Sequence, residues 1–306
     1  MLEQRRETCL PAKLLDGRVV SDKIRSKVKA RIKTLAGSVT EPSLVNILVG
    51  VEPASRSYLK KNEAACAEVG IKFRDLRLRA ETSQEELERA IGELNSDASV
   101  TGILLHLPLP DVLDETSALS KISREKDVDG LNPYNLGLLM HQRPCLVPCT
   151  PNGIVVLLKY HRLSLVGRHV VIINRSKPVG RPLSQLLLNE DSTVTVCHSK
   201  TRDLIGIARE ADILVTGIGR RDEFVVGSNM MKPGAVVIDV GTTSVDGRIV
   251  GDVDFEAALS TASYVTPVPG GVGPMTTTML LYNTLLAACM QSRIDIGLGL
   301  EQLAAQ

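Results

Sequence analysis

The sequence predicts an α/β protein of two domains: an N-terminal αβ domain on a parallel sheet, then a Rossmann-like αβ domain. Three observations predict this. Strand and helix signals alternate from residue 43 to residue 106, and they alternate again from residue 169 to residue 240. Such alternation implies parallel strands joined by crossover helices. A Gly/Pro run at 267–276 then feeds a last helical pattern: Met279, Leu280, Tyr282, Asn283, Leu285, Leu286 and Met290. The 306 residues suit one large or two moderate domains, and 43% hydrophobic residues supply a substantial core. With no Trp and three Phe, that core is aliphatic.

The first helix is expected to open at Val20–Ser21 with Ser21 as its cap. Ile24, Val28, Ile32 and Leu35 recur on one face until Gly37 stops it. Residues 43–50 read as a buried strand, 55–69 as a helix stopped by Gly70, and 71–78 as an alternating strand. Ser83-x-x-Glu86 is a capping box for a helix reaching Leu94. Residues 100–106 form another strand, and 108–129 are loop-rich with some helix. Pro151 sits in the first turn of a helix running to Tyr160, and the domain boundary is placed near residue 150. The second module opens with strand 169–173 and continues through strands at 193–197, 212–216 and 235–240, a nucleotide-binding pattern.

The formal net charge of +1 argues against a nucleic-acid or membrane footprint. No apolar run approaches 18 residues, so no membrane span is expected. The first twelve residues carry Arg5 and Arg6 without an apolar stretch, so they do not read as a signal peptide. Six scattered cysteines read mostly as buried free thiols, which makes the reduced cytoplasm the expected compartment. Cys145-x-x-x-Cys149 has no matching second half, so no metal site is expected.

Pro267-Val-Pro-Gly-Gly-Val-Gly-Pro-Met-Thr276 is the most informative run. Three prolines and three glycines in ten residues exclude a regular helix or an interior strand. Gly270, Gly271 and Gly273 let the backbone approach a ligand without a Cβ in the way. Free N–H groups at the following helix start favour an anion or a polar ring edge. The plainer reading is a Gly/Pro connector. In the second module the G-x-G-x-x-G fingerprint is absent. Ile173 is followed instead by Asn174-Arg-Ser-Lys-Pro-Val-Gly-Arg-Pro182, with Gly180 and Pro182 where a helix should begin. The next strand ends in His198-Ser-Lys-Thr-Arg202, with no carboxylate to bond a ribose 2′-hydroxyl. Hydroxyl and basic groups are what a 2′-phosphate requires; a solvated basic turn is the other reading.

Together these motifs resemble the methylene-tetrahydrofolate dehydrogenase / methenyl-tetrahydrofolate cyclohydrolase family. The Gly/Pro run matches its signature. Lys126-Asp-Val-Asp-Gly130, Leu107-Pro-Leu-Pro110, Pro148-Cys-Thr-Pro-Asn-Gly153 and Val250-Gly-Asp-Val253 match further motifs, in order, over about residues 14–286. The resemblance implies a folate-binding catalytic domain over 1–150 plus 275–306, with the last helix returning to it, and an NADP-binding domain over 151–274. It implies folate contacts from Tyr58, Leu105, His106, Leu107, Asp129, Pro269, Gly270, Gly271, Val272, Gly273, Pro274 and Thr276. Asp129 matches the aspartate that bonds the pterin amino and ring N–H groups, a fitting task for a carboxylate; Asp127 takes a more structural part. Cofactor contacts fall on Asn174, Arg175, Ser176, Val179, Gly180, Ser199 and Thr242, with Arg175 and Ser199 facing the 2′-phosphate. Asn174 replaces the family's first glycine, and Asn tolerates left-handed backbone better than most residues.

Two departures are linked. The family's catalytic helix reads Y-x-x-x-K, with both side chains on one face. This chain keeps Tyr58 and has Asn62 at the lysine position, while Lys61 lies about 100° around the helix axis. The glutamine that orients that lysine is His106. A histidine near neutral pKa could serve as a base; the bland alternative is that Asn62 and His106 bond each other. The expected catalytic set is therefore Tyr58, Asn62, His106 and Asp129. The expected function is NADP-dependent oxidation of methylene-tetrahydrofolate, with hydrolysis of the methenyl product in question. The rivals are a folate- or nucleotide-binding regulatory protein and a folate dehydrogenase of different one-carbon specificity. Expected partners are tetrahydrofolate derivatives and a second copy of the chain, joined through the second module.

Overall fold

The computed structural model describes residues 11–50 and 53–305, without the side chains of 53–58 and of Leu300. Arg5, Arg6 and Cys9, one of the six cysteines read above, lie outside those residues. The chain divides into two compact units. One runs to Arg18 and includes His161–Gly273; the other comprises Val19–Tyr160 and everything from Pro274 onward.

The second of these units holds a three-stranded parallel sheet of β2 (Ser43–Val49), β3 (Lys72–Leu78) and β4 (Gly102–Leu105), in the order β3-β2-β4. Around it lie α1 (Gly17–Thr34), α2 (Pro53–Val69), α3 (Gln84–Ser96), α4 (Glu115–Lys121), α5 (Pro133–Met140), α6 (Cys149–Tyr160), α10 (Val272–Gln291) and α11 (Leu300–Ala304). β2 is buried along nearly its whole length, as a central parallel strand must be. Ser83 and Glu86 form the reciprocal capping box at the start of α3, whose Leu87, Ile91 and Leu94 face the core. α10 is apolar all round and buried, with Met279, Leu281, Leu285, Ala288 and Cys289 fully inaccessible.

The first unit holds a six-stranded parallel sheet in the order β1-β11-β8-β7-β5-β6. Its strands are β1 (Lys13–Leu14), β5 (His169–Ile173), β6 (Thr193–Cys197), β7 (Ile213–Thr216), β8 (Val236–Asp239) and β11 (Tyr264–Val265). The helices α7 (Gly180–Asn189), α8 (Leu204–Arg209) and α9 (Phe255–Thr261) connect them, and β9 (Thr243–Val245) pairs with β10 (Arg248–Val250) as a hairpin. The order places β5 between β6 and β7, so the chain reverses direction across the sheet there. Ligands of doubly wound sheets bind outside the carboxyl ends of the strands at such a point.

Four boundaries differ from the sequence reading. α1 begins at Gly17, because Asp16 accepts the Arg18 N–H at 2.8 Å and caps it; Ser21 lies inside the helix. α6 starts at Cys149, two residues before Pro151. α10 starts at Val272, within the Gly/Pro run, since Pro274 falls in a first turn that needs no N–H donor from it. β1 pairs with β11 in the six-stranded sheet, although the sequence reading assigns residues 1–150 to the folate domain. A two-residue strand carries no periodic signal to reveal that.

Candidate active site

The Lys126–Gly130 motif resolves into four different jobs. Lys126 is buried, and its Nζ donates to the carbonyls of Leu94, Asn95 and Asp97 at 2.8–3.0 Å, closing the C-terminal end of α3. Burial holds its ammonium below the usual lysine range, with the Asp97 charge opposing. Asp127 is also buried and accepts from the backbone N–H of Leu131 and Asn132 and from Asn135 Nδ2, at 2.8–3.1 Å. Gly130 has φ +70°, and a Cβ there would overlap the backbone of Val147 and Pro148. That leaves Asp129, half-buried. Burial first, then the neighbouring Asp127 charge, push its carboxyl up to about 7, and a hydrogen bond from the Cys149 thiol works the other way. Cys149, in turn, is fully buried and touched by Asn283 of α10, whose Nδ2 donates to the carbonyls of Val128 and Val147 at 2.9 and 2.8 Å. One motif thus anchors itself with three residues and presents the fourth.

On α2 the structure gives the backbone of Tyr58, whose side chain is outside the described residues. Asn62, one turn on, is fully buried. Its Oδ1 accepts from Thr277 of α10 at 3.4 Å, and its Nδ2 has no hydrogen-bond partner. The amide nitrogen therefore does not bond His106. Lys61 is exposed, as its rotation about the helix axis requires. His106 is half-buried at the end of β4, its N–H donating to Ile47 at 2.9 Å; Leu105 is buried and Leu107 half-buried. The Gly/Pro run is held at both ends. In the first unit, Gly271 N–H donates to Pro267 at 2.7 Å, Gly17 N–H donates to Gly270 at 2.9 Å, and Arg18 Nη2 donates to Pro269 at 3.2 Å. In the second, Thr276 and Thr150 hydroxyls meet at 2.9 Å, and the Ser21 hydroxyl faces Met275 Sδ at 3.5 Å. Pro269, Gly270 and Gly271 thus lie in an anchored turn, and Val272, Gly273, Pro274 and Thr276 are the first residues of α10.

In the first unit Asn174 replaces a fingerprint glycine and builds the turn with its side chain. Its Oδ1 accepts the Ser176 N–H at 2.6 Å, and its Nδ2 donates to the Gly217 carbonyl after β7. The Ser176 hydroxyl accepts from Val179 and Gly180 N–H at 3.3 and 3.5 Å, at the start of α7. A Cβ on Gly180 would overlap the Asn174 backbone, so the glycine is obligatory. This is a strand–turn–helix cradle of the kind that receives a pyrophosphate. Arg175, Ser199 and Thr242 are exposed beside the carboxyl ends of β5, β6 and β8. The turn after β6 is shaped by His198 N–H donating to Thr201 Oγ1 at 2.8 Å and Lys200 N–H donating to His198 Nδ1 at 3.1 Å. Its first following carboxylate, Asp203, is spent capping α8.

The sequence reading matched Val250–Val253 but gave it no role. In the structure Asp252 is fully buried and accepts from Thr216 Oγ1, Ile218 N–H and Gly219 N–H at 3.0, 2.6 and 2.9 Å. Asp239 accepts from the N–H groups of Gly241, Asp252 and Val253 at 2.9–3.0 Å. The paired aspartate and glycine in two short segments were the available signal.

Comparison with known proteins places these features. The catalytic-domain model of the tetrahydrofolate dehydrogenase/cyclohydrolase family matches residues 15–129, and its NAD(P)-binding-domain model matches residues 148–292. The chain is 49% identical over 277 residues to the bifunctional protein FolD of Exiguobacterium sibiricum, covering 90% of this chain and 99% of that one. It is 46% identical over 280 residues to that of Nitrosopumilus maritimus, covering 92% and 98%. Among solved structures it is similar to the bifunctional FolD of Campylobacter jejuni, with TM-score 0.88, 44% identity and coverage of 92% and 99%. The methylenetetrahydrofolate dehydrogenase-cyclohydrolase of Trypanosoma brucei, complexed with NADP cofactor and inhibitor, gives 0.87, 38%, 93% and 100%.

Proposed function

The chain belongs to the tetrahydrofolate dehydrogenase/cyclohydrolase family, and from that premise we propose an NADP-dependent methylene-tetrahydrofolate dehydrogenase that has lost most hydrolysis of its methenyl product. The carrying observation for the first half is the cradle from Asn174 to Gly180, complete with its helix start and its obligatory glycine. Its residues fit a dinucleotide: the turn into α7, closed by Asn174 and by Gly180 without a Cβ, suits close approach of the pyrophosphate, and Arg175 and Ser199 suit a 2′-phosphate. NADP bound there would supply the hydride acceptor.

The remaining work belongs to this chain's residues. Asp129 accepts from the pterin N–H edge. Leu105, His106 and Leu107 line the folate beside Tyr58, with Pro274 and Thr276 of the same unit; Pro269, Gly270, Gly271, Val272 and Gly273 are folate contacts by their family motif alone. Orientation is most of the catalysis, because the folate nitrogen lone pair expels the hydride. Hydrolysis of the methenyl cation needs a proton-transferring group. Asn62 carries no titratable proton and is committed to Thr277, which supports its loss. An absorbance assay for methenyl formation, run beside a separate readout of methenyl disappearance, tests both halves. Absence of cofactor-dependent methenyl formation would sink the first.

The homodimer belongs to the same reading. β6 is the edge of its sheet, pairing only with β5 among the described residues, and Val196 on it is 36% exposed. A cytoplasmic setting is supported by the free cysteines Cys66, Cys145, Cys149, Cys197 and Cys289. Among the described residues no helix is long and apolar enough to cross a membrane.

A further inference from the structure

We propose that Asp252 is a positioning residue for the cofactor: its buried carboxylate holds the Gly217–Gly219 loop in the shape that receives NADP. This rests on the NADP-dependent reading above. The loop follows β7 and flanks the reversal point between β5 and β7, where the cradle also lies. Its three residues are held from two directions. Asn174 Nδ2 takes the carbonyl of Gly217, while Asp252 takes the N–H groups of Ile218 and Gly219. Turning the Ile218 amide inward leaves its side chain 37% exposed, an apolar platform for a cofactor ring. Gly219 has φ +69°, a backbone that two anchored N–H groups help to keep.

The carboxylate itself cannot drift. The carbonyls of Gly251 and Val253 both accept from Arg221 Nη1, and the Asp252 and Val253 N–H groups both donate to Asp239. A Cβ on Gly241 would overlap the Asp252 carboxylate, and one on Gly251 would overlap that of Asp239. The two glycines and two aspartates therefore fit one another reciprocally. Burying a carboxylate is costly, and apolar packing would stabilise a sheet end more cheaply. Its three donors include two loop amides, so what the carboxylate determines is the conformation of that loop.

The test uses the full chain with the single change Asp252→Asn, which keeps size and removes acceptor capacity. NADP binding is measured by calorimetry, folate binding in parallel, and exchange of the Ile218 and Gly219 amides by NMR. NADP should bind at least tenfold more weakly, the two amides should exchange faster, and folate binding should stay within twofold. A lowered Tm with NADP affinity within threefold of the parent overturns the proposal, because the carboxylate would then be structural only. Should Asp252→Asn not fold, Gly219→Ala moves the loop off an intact carboxylate. It should lose NADP affinity likewise, and unchanged affinity there overturns the proposal too. A parent chain that binds NADP yet forms no methenyl product would refute the reaction assigned above while leaving this binding test in force.

Discussion

On the function proposed above, Asn62 is the side chain that governs methenyl hydrolysis. It is buried, neutral and half-satisfied, where the family resemblance leads one to expect a lysine. Losing a positioned acid–base group costs about 100- to 10,000-fold, while hydride transfer takes no proton from that place. The double change Asn62→Lys with His106→Gln should therefore raise methenyl hydrolysis by a factor within that range, each single change giving less, since the two groups act together. Lys61→Ala should leave hydrolysis unchanged because Lys61 is exposed; a fall would mean that Lys61 reaches the site. Asp129 makes a second prediction. Burial and Asp127 push its carboxyl up to about 7, and on the proposed function protonation would leave one acceptor oxygen facing two pterin N–H donors. Folate affinity should fall as pH drops below 7, by at most about tenfold per pH unit. Asp129→Asn should remove that slope and weaken binding by about 2 kcal/mol. The stability sign runs the other way. A raised folded value stabilises the fold below the ordinary carboxylate value of 3.8, and that stabilisation is lost as pH rises through about 7. Asp129→Asn should thus raise Tm at pH 8 relative to the parent, with little gain at pH 4; equal shifts at both would contradict the assignment.

At the scale of elements, Lys126 ties its motif to the end of a helix, a role the motif match left unassigned. It lies three residues before Asp129 in sequence, and it closes α3 through three carbonyls. Lys126→Met should cost about 2–3 kcal/mol of stability, by analogy with hydrogen bonds to charged groups. The rate of hydride transfer per folded molecule should be nearly unchanged, as thermal unfolding and kinetics on one preparation would reveal. Most elements were legible because their signals are local: the Ser83–Glu86 box, the apolar faces, and Gly70 with φ +91° past α2. The misses have physical causes. Asp16 outcompetes Ser21 as a cap because it lies at the true start, and α10 absorbs Pro274 in its first turn. The candidate site was nameable from sequence wherever a motif was contiguous, as in Lys126–Gly130 and Asn174–Gly180. Thr277 facing Asn62, and Asp252 facing a loop 33 and 34 residues before it, are long-range contacts that no spacing announces.

For the whole molecule, the assembly prediction turns on β6. A lysine on an edge strand blocks edge pairing. Val196→Lys should therefore convert a dimer to single chains in sedimentation, with NADP binding per chain retained; an unchanged dimer would place the interface elsewhere. The route of the chain has a different consequence. It passes from one compact unit to the other after Arg18, after Tyr160 and after Gly273. The first and third passages fall inside helices, α1 and α10. Neither unit is a contiguous stretch of gene. A fragment ending at residue 160 would lack α10, the buried axis of its own unit, and a fragment of 161–273 would lack β1. Recombination that exchanges one unit between relatives must therefore cut three times to transfer it whole, so its cofactor preference cannot be swapped by a single crossover.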